Sequence, residues 1–475
     1  MLRPAGLGDD AEPVADTRFP SPLIQPRNTQ GVDFPTEPQG RTLVVANVAP
    51  TDKACGIAEH ARRLGNSLKA DFTLKGIPLF NLSRFQSNLG RRERRRACMD
   101  IVKLVRRSNS DLVHIHHEFS FFGAGRSESI RNLARVLRAI RTPIVLTLHT
   151  WPTWDSPPDH LRRKPTASVR GNDRSASSSG WHKSGGQIRK KRQKRRKGAI
   201  FSRLRSILCT RRFLRVISKS TAVVVHSRDT YQRLITACPK MQEKTFVIPL
   251  PVDIEVRSSS SPVLVKQPEQ KWLVLPGFVS AYKGHEFAVA ALKHLPSSYR
   301  LVIAGGVHPR DRGGIGHWNK LLAEIDALGL QSRVLITGFL EDAKQQYEIL
   351  SQADCFYLPY KEVGQSGSAV LGDVLAYMKP VVTSEATVMF AYRSQVDTTY
   401  SSLAVNQKNP ELVAQVIQQC VEQDHVDIEL IKSHQRVICD RCSLEQTAKR
   451  YQKAYFFAMS RAAARFRYSW WGRRN

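Results

Sequence analysis

The sequence predicts an α/β protein made of two doubly wound, parallel-sheet domains. Three observations carry this. Short apolar runs alternate with helical patterns from Thr42 to Leu250, and the same rhythm restarts at Trp272 and continues to Ser384. Between the two series lies the polar stretch IEVRSSSSPVLVKQPEQ, 254–270. Strands of a parallel sheet are buried on both faces and read as continuous apolar runs, with helices covering each face. A chain of 475 residues suits two or three domains, and 41% hydrophobic content is enough for their cores.

Taken in order, residues 1–40 are punctuated by Pro and Gly without periodicity and read as a disordered lead. An N-terminal domain is expected over 41–254, with strands at 42–48, 112–118, 144–149, 222–227 and 246–250 and helices around 57–69, 92–107 and 127–140. Residues 155–200 interrupt it with a Ser-, Gly- and charge-rich insertion that reads as disorder. After the linker, 255–270, a C-terminal domain is expected over 271–450, with strands at 272–277, 300–305, 334–339, 355–359 and 380–384. Residues 451–475 form a final helix and tail. Two such sheets facing each other leave a ligand cleft between them.

The net charge is +32, and twenty Lys and Arg against two Asp fall between Asp159 and Lys219. Such a surplus concentrates anionic partners. Eight of the nine residues 189–197 are basic, and Ile200, Leu204, Ile207, Leu208 and Leu214 then recur at near-helical spacing among arginines. That segment either lies on an anionic membrane surface or packs its apolar stripe on the sheet. The tail RAAARFRYSWWGRRN sets Trp470 and Trp471 beside arginines and leaves the same choice, a membrane interface or a helix docked back across the cleft. No aromatic interleaving or nucleic-acid module supports nucleic-acid binding. The eight cysteines are scattered, and the single CxxC, Cys439–Cys442, has no second pair to complete a zinc ribbon. Cys355 reads as a small core residue. No run of 18 apolar residues suggests a membrane span, and the N-terminus lacks the apolar core of a secretory signal. The expected location is cytoplasmic, with the basic segments allowing peripheral attachment to the inner face of the plasma membrane.

Four stretches fall where an open α/β sheet binds ligands, at the carboxyl ends of strands. The first is the loop bearing Gly56, which carries neither a dinucleotide fingerprint nor a P-loop. The second is the histidine set: His114, His116 and His117 with Glu118 on one strand, and His149 ending another. An HxH pair with no third ligand in register is a weak metal motif, whereas His149 is placed for substrate. The third is Lys283-Gly284, a turn at which a lysine can neutralise a diphosphate. The fourth is the elbow Glu362-Val-Gly-Gln-Ser-Gly-Ser368, whose amides open a helix.

Read together, CGIAEHARRL, TPIVLTLHT, LPGFVSAYKGHE, LVIAGG, VLITGFL and GQSGSAVLGDVLAYMKPVV resemble the GT-B glycosyltransferases, and within them glycosyltransferase family 4, over roughly residues 42–455. The resemblance implies a nucleotide-sugar donor, UDP- or GDP-linked, bound mainly by the C-terminal domain without further cofactor or metal. It implies Lys283 on the diphosphate and Gly338 and Phe339 beside the base. Ser366, Gly367 and Ser368 would give amides to phosphate, His149 would touch the donor sugar, and Gly56 would lie against phosphate and acceptor. Where the family carries two glutamates, this chain has Gln365 and Asp373. Asp373 would hold the ribose and Gln365 the sugar, with Glu362 available to supply the missing charge. Phe278 stands where an arginine often precedes the lysine. The expected function is transfer of a sugar to a saccharide or lipid-linked acceptor, with retention. The alternative is a catalytically weak scaffold that binds nucleotide-sugar or saccharide, and a third reading is a polyanion-binding protein driven by 159–219.

Overall fold

The computed structural model describes residues 42–51, 55–69, 71–79, 89–152, 206–252, 264–308, 314–340, 342–396, 403–422 and 427–471. The lead, the insertion and its basic run 189–197 lie outside these residues, as do the side chains of Trp470 and Trp471.

The first domain begins with β1 (Leu43–Pro50), α1 (Gly56–Ser67), β2 (Phe72–Leu79), α2 (Arg91–Arg107), β3 (Leu112–His117), α3 (Arg126–Ala139) and β4 (Ile144–Leu148). It continues with a helix over 206–217 (α4), then β5 (Ala222–Val225), α5 (Arg228–Ala237) and β6 (Thr245–Val247). Its strands form one sheet in the order β2-β1-β3-β4-β5-β6, every pair parallel. The second domain has β7 (Lys271–Pro276), α6 (His285–Leu292), β8 (Tyr299–Ala304), α7 (Gly314–Ala327), β9 (Val334–Ile336) and α8 (Ala343–Ser351). After these come β10 (Cys355–Leu358), α9 (Ala369–Leu375), β11 (Val381–Ser384), β12 (Leu403–Val405), α10 (Pro410–Glu422) and α11 (Ile428–Arg441). The second sheet, also parallel, runs β12-β11-β10-β7-β8-β9.

Each sheet has six strands where the apolar runs predict five. The two unforeseen strands, β2 and β12, are both sheet edges. FTLKGIPL carries Gly76 and Pro78, which an edge tolerates and a central strand does not, so its apolar pattern is diluted. LAV is too short to read as a run. The central strands show what the patterns capture: every residue of β3, β4, β5, β10 and β11 is buried.

Helices α2, α3 and α4 share one core with β1, β3 and β4, through residues such as Val102, Leu133 and Phe213. In α4 the buried face is Phe213, Leu214, Val216 and Ile217, while Ile207 and Leu208 of the expected stripe are exposed. On the opposite face the final helix, α12 (Leu444–Trp471), presses Ala448, Tyr451, Ala454, Tyr455 and Ala458 onto Val45, Val145 and Val224. The preceding α11 packs Ile438, and its C-cap residue Cys442, into the second domain's core. The chain thus crosses back to the first domain at its end. No helix among the described residues is long and apolar enough to span a membrane.

The strand orders reverse direction between β1 and β3 in one sheet and between β7 and β10 in the other. Ligand crevices open outside the strand ends at such switch points. The loop before Gly56 follows β1, and Lys283 and the 360–368 elbow follow β7 and β10, so all of these stretches reach the two crevices.

Candidate functional site

Lys283 is held in a fixed place by its own turn. Gly277, at φ +97°, bends the chain after β7, and a side chain there would collide with the Lys283 ammonium. Nζ donates to the Pro276 carbonyl at 3.0 Å and lies 5.3 Å from the Tyr360 ring centre. The residue is 4% exposed. Burial pulls its pKa down to about 7, with Asp373 on α9 pulling the other way. A buried ammonium whose charge is disfavoured by desolvation is poised for an anion.

Gly284 caps α6 at φ +71°, in the left-handed region. A Cβ there would run into the Pro359 carbonyl, so Gly284 fixes how closely the lysine turn approaches the elbow. Gly284→Ala is expected to cost at least about 2 kcal/mol and to lower Tm by several degrees, read by calorimetry. A Tm within one degree of wild type would show the turn to be compliant.

The elbow is stitched to the first domain by backbone. Trp151 N donates to Gly364 O at 2.7 Å, Ser366 N donates to His149 O at 2.9 Å, and Thr150 bridges Gln365. The Ser366 hydroxyl accepts from the His226 amide at 2.9 Å. Gly367 passes so near His226 and Leu250 that a Cβ would clash. Ser368 caps α9 by accepting from Leu371 N. Of the three residues expected to offer amides, Ser366 therefore gives its N–H to His149 in this closed arrangement.

Glu362 has both oxygens engaged, one by Gly364 N at 2.9 Å and one by Thr387 N at 2.8 Å. Burial alone would raise its pKa, but these amides and Arg233 outweigh it and hold the carboxyl below its usual range. Glu362 thus shapes the elbow as a carboxylate. Gln365 has a buried Oε1 with no hydrogen-bond partner among the described residues. A buried acceptor left open in a cleft is costly unless a ligand or water reaches it.

At the other end of the second-domain crevice, Gly338 has φ +74° and Phe339 is 38% exposed. Phe339 stacks on Phe278 with ring centres 5.4 Å apart and planes 16° from parallel, and His308 adds a third ring 4.6 Å from Phe278. Phe278, noted in the sequence as a missing cation, stands at the centre of an aromatic cluster, parallel to Phe339 and tilted 55° from His308. Gly56 opens α1 with free space around its Cα.

The histidine set is larger than the sequence suggested. His149 Nε2 meets His116 Nδ1 at 3.1 Å, and His149 Nδ1 meets His226 Nε2 at 3.2 Å. His226 Nδ1 lies 2.9 Å from the Ile248 carbonyl, which can only accept. The tautomers follow: His226 donates from Nδ1 to Ile248 O, His149 donates from Nδ1 to His226, and His116 donates from Nδ1 to His149. His116 Nε2 is left as a bare buried acceptor. His114 meets Tyr455 OH and Thr147 Oγ1, each at 2.8 Å, and His60 stands edge-on to His116, His149 and His226. Among the described residues no group is arranged to hold a metal. Sequence reasoning missed His60 and His226. His226 ends the AVVVHS run, a place that marks a cleft-facing residue, whereas His60 sits inside a helix and offered no such cue. Glu118 also reaches the bridge, accepting from the Thr150 hydroxyl at 2.7 Å.

The sequence model of Glycosyltransferase Family 4 matches residues 61–256, and that of Glycosyl transferases group 1 matches 270–423. A D-inositol 3-phosphate glycosyltransferase of Xylanimonas cellulosilytica is 24% identical over 193 residues, 36% of this chain and 44% of that protein, so the match spans less than half of the relative's length. Among solved structures, Anabaena HepE in complex with UDP-glucose superposes with a TM-score of 0.58 at 14% identity, over 86% of this chain and 98% of that one. Sucrose-phosphate synthase from Thermosynechococcus elongatus gives 0.60 at 14% identity, over 87% and 98%. These likenesses establish the two-domain fold, and the two family matches account for most of both sheets. The chain belongs to the GT-B glycosyltransferases, in glycosyltransferase family 4, the glycosyl transferases group 1.

Proposed function

We propose that this chain moves a sugar from a nucleoside-diphosphate sugar to a hydroxyl of a saccharide or lipid-linked acceptor, with retention at the transferred carbon. The observation that carries this reading is Lys283, a buried ammonium held by its own turn at the second-domain switch point. As the glycosidic bond breaks, positive charge grows at C1 and negative charge on the β-phosphate. A preorganised cation in a dry site stabilises that charge without reorganising. In this reading Lys283 supplies the charge without a metal, and Ser366 to Ser368 add amides once the elbow releases His149. Asp373 holds the ribose, and Phe278, Gly338 and Phe339 form the platform under the base. Gln365 offers its unpartnered Oε1 to a sugar hydroxyl, His149 lies beside the sugar, and Gly56 leaves room for the acceptor. HepE was crystallised with UDP-glucose, which favours a UDP-linked donor. Extension of a polysaccharide or glycolipid fits these parts.

Release of nucleoside diphosphate from UDP-glucose or GDP-mannose tests the reading, with HPLC as the readout. Turnover is expected with one donor and not the other, and acceptor should raise it. The scaffold reading is favoured by two observations: Gln365 carries no charge, and Glu362 is fully engaged by amides. Binding of a nucleotide-sugar with no turnover, in the presence of saccharide and lipid-linked acceptors, would support that reading instead.

A further inference from the structure

Helix α2 opens Arg91-Arg92-Glu93-Arg94-Arg95-Arg96, a sequence that works against its own helix. Cations in a first turn oppose the helix dipole, and like charges four residues apart repel, as Arg91 and Arg95 do and Arg92 and Arg96 do. Glu93 is committed to the Gly90 amide as a cap, and Arg94 pairs with Glu128 at 3.1 Å. Among the described residues no acid pairs with Arg91, Arg92, Arg95 or Arg96, and all four are exposed. Burial and the neighbouring Arg95, Arg131 and Arg91 together lower the pKa of Arg135 on α3, so the seam between the two helices is crowded with like charge.

The crowding is not confined to one helix. Along α2, α3 and α4, which share one face of the first sheet with α5, fifteen basic residues stand against three acids. Each of those acids is already engaged, Glu93 by Gly90, Asp100 by Lys103 and Glu128 by Arg94. Exposed Leu104, Ile207 and Leu208 lie among the cations. In a parallel sheet each helix starts at the carboxyl edge of the strands, so the arginine-dense end of α2 borders the cleft. The Arg94–Glu128 pair fixes it there, beside the loop after β3. The chain also leaves the described fold at Pro152 and rejoins it at Ser206 on this edge.

We infer that the α2–α3–α4 face is a docking surface for an anionic phospholipid bilayer, placing the cleft mouth at the headgroups. Extended like charge with apolar side chains interspersed matches a planar array of phosphates over hydrocarbon. A basic face with no aromatic side chains to stack on bases fits a nucleic acid less well. The inference does not rest on the donor site, since donor hydrolysis in solution would proceed without it.

The test uses the full chain and sedimentation with vesicles of phosphatidylcholine, alone or with about a third phosphatidylglycerol. One variant reverses the patch with Arg91→Glu, Arg92→Glu, Arg95→Glu and Arg96→Glu. A control makes the same net-charge change in the second domain, with Lys293→Glu, Lys320→Glu, Lys344→Glu and Lys408→Glu, all exposed positions. The patch variant should lose anionic-vesicle partitioning by at least about tenfold and the control by less than about threefold. Glutamine at the same four arginines, which leaves α2 intact, should give an intermediate loss with a Tm equal to or above wild type. Equal losses in patch and control variants would overturn the inference, because net charge alone would then explain binding. So would retained vesicle binding accompanied by a loss of single-stranded RNA binding.

Discussion

Lys283→Ala is expected to lower kcat/KM for sugar transfer by about a hundred- to a thousandfold, the range seen when one preorganised donor to a developing anion is removed. The same site makes a second, independent result measurable. With a folded pKa near 7 and an unfolded value near 10.5, the ammonium is disfavoured by the fold. Between these values the unfolded chain holds a proton that the folded chain does not. Stability therefore falls as pH drops from about 10.5 towards 7, by ~1.4 kcal/mol per pH unit at most, and the penalty is complete below 7. A bound diphosphate reverses the balance by restoring the charge. Calorimetric titration of nucleoside diphosphate at pH 8, in buffers of different ionisation enthalpy, should therefore show uptake of close to one proton. Lys283→Met should abolish that uptake and at the same time raise the unfolding midpoint near pH 7, an effect that vanishes above pH 10.5. A variant that loses activity but still takes up the proton would remove Lys283 from the diphosphate site.

The lysine turn was legible in the sequence because it rests on local rules. A strand, a glycine turn and a helix place the ligand edge within ten residues, and Gly277 and Gly284 both prove to need left-handed backbone. The elbow was legible for the same reason. What bonds across the cleft was not, because partners such as Trp151 and Gly364 are joined only by the closure of two domains. Periodicity within one segment carries no information about that closure. Phe278 shows a related limit. Compared with an expected arginine it reads as a loss, and only its stacking on Phe339 shows what it contributes. The edge strands escaped because an edge relaxes the apolar pattern that reveals a strand. The histidine cluster was legible only in its β3 and β4 members, because the others come from α1 and the end of β5, with Tyr451 and Tyr455 added by α12.

That cluster sets the expected response to acid. His60, His114, His116, His117, His149 and His226 are all buried in the first domain. Burial lowers the pKa of each, to about 3 for His114 and His117 and to about 4 for His226. Repulsion between neighbouring rings adds to the lowering at His60, His116 and His149. Arg63 acts in the same direction on His60, and the facing Tyr451 and Tyr455 stay neutral because burial raises their pKa. Once the pH falls below about 6.5 the unfolded chain takes up protons that the folded chain refuses, so stability falls until the folded values are reached. At pH 5 each of His114, His117 and His226 costs ~2 kcal/mol, so these three together cost about 6 kcal/mol, comparable with the stability of a whole domain, and the lowering at the other three acts in the same direction. The first domain should therefore unfold near pH 5, with loss of the near-ultraviolet signal of its buried tyrosines. His60 makes the test specific, because neither of its nitrogens has a partner among the described residues. His60→Leu removes no hydrogen bond of the network, so the urea midpoint at pH 7.5 should change little. At pH 5 the variant should be more stable than wild type, with the difference growing as the pH falls from about 6.5. Equal acid sensitivity in the two proteins would mean that water reaches the cluster and that the ring-to-ring chain from Ile248 to His116 is not dry.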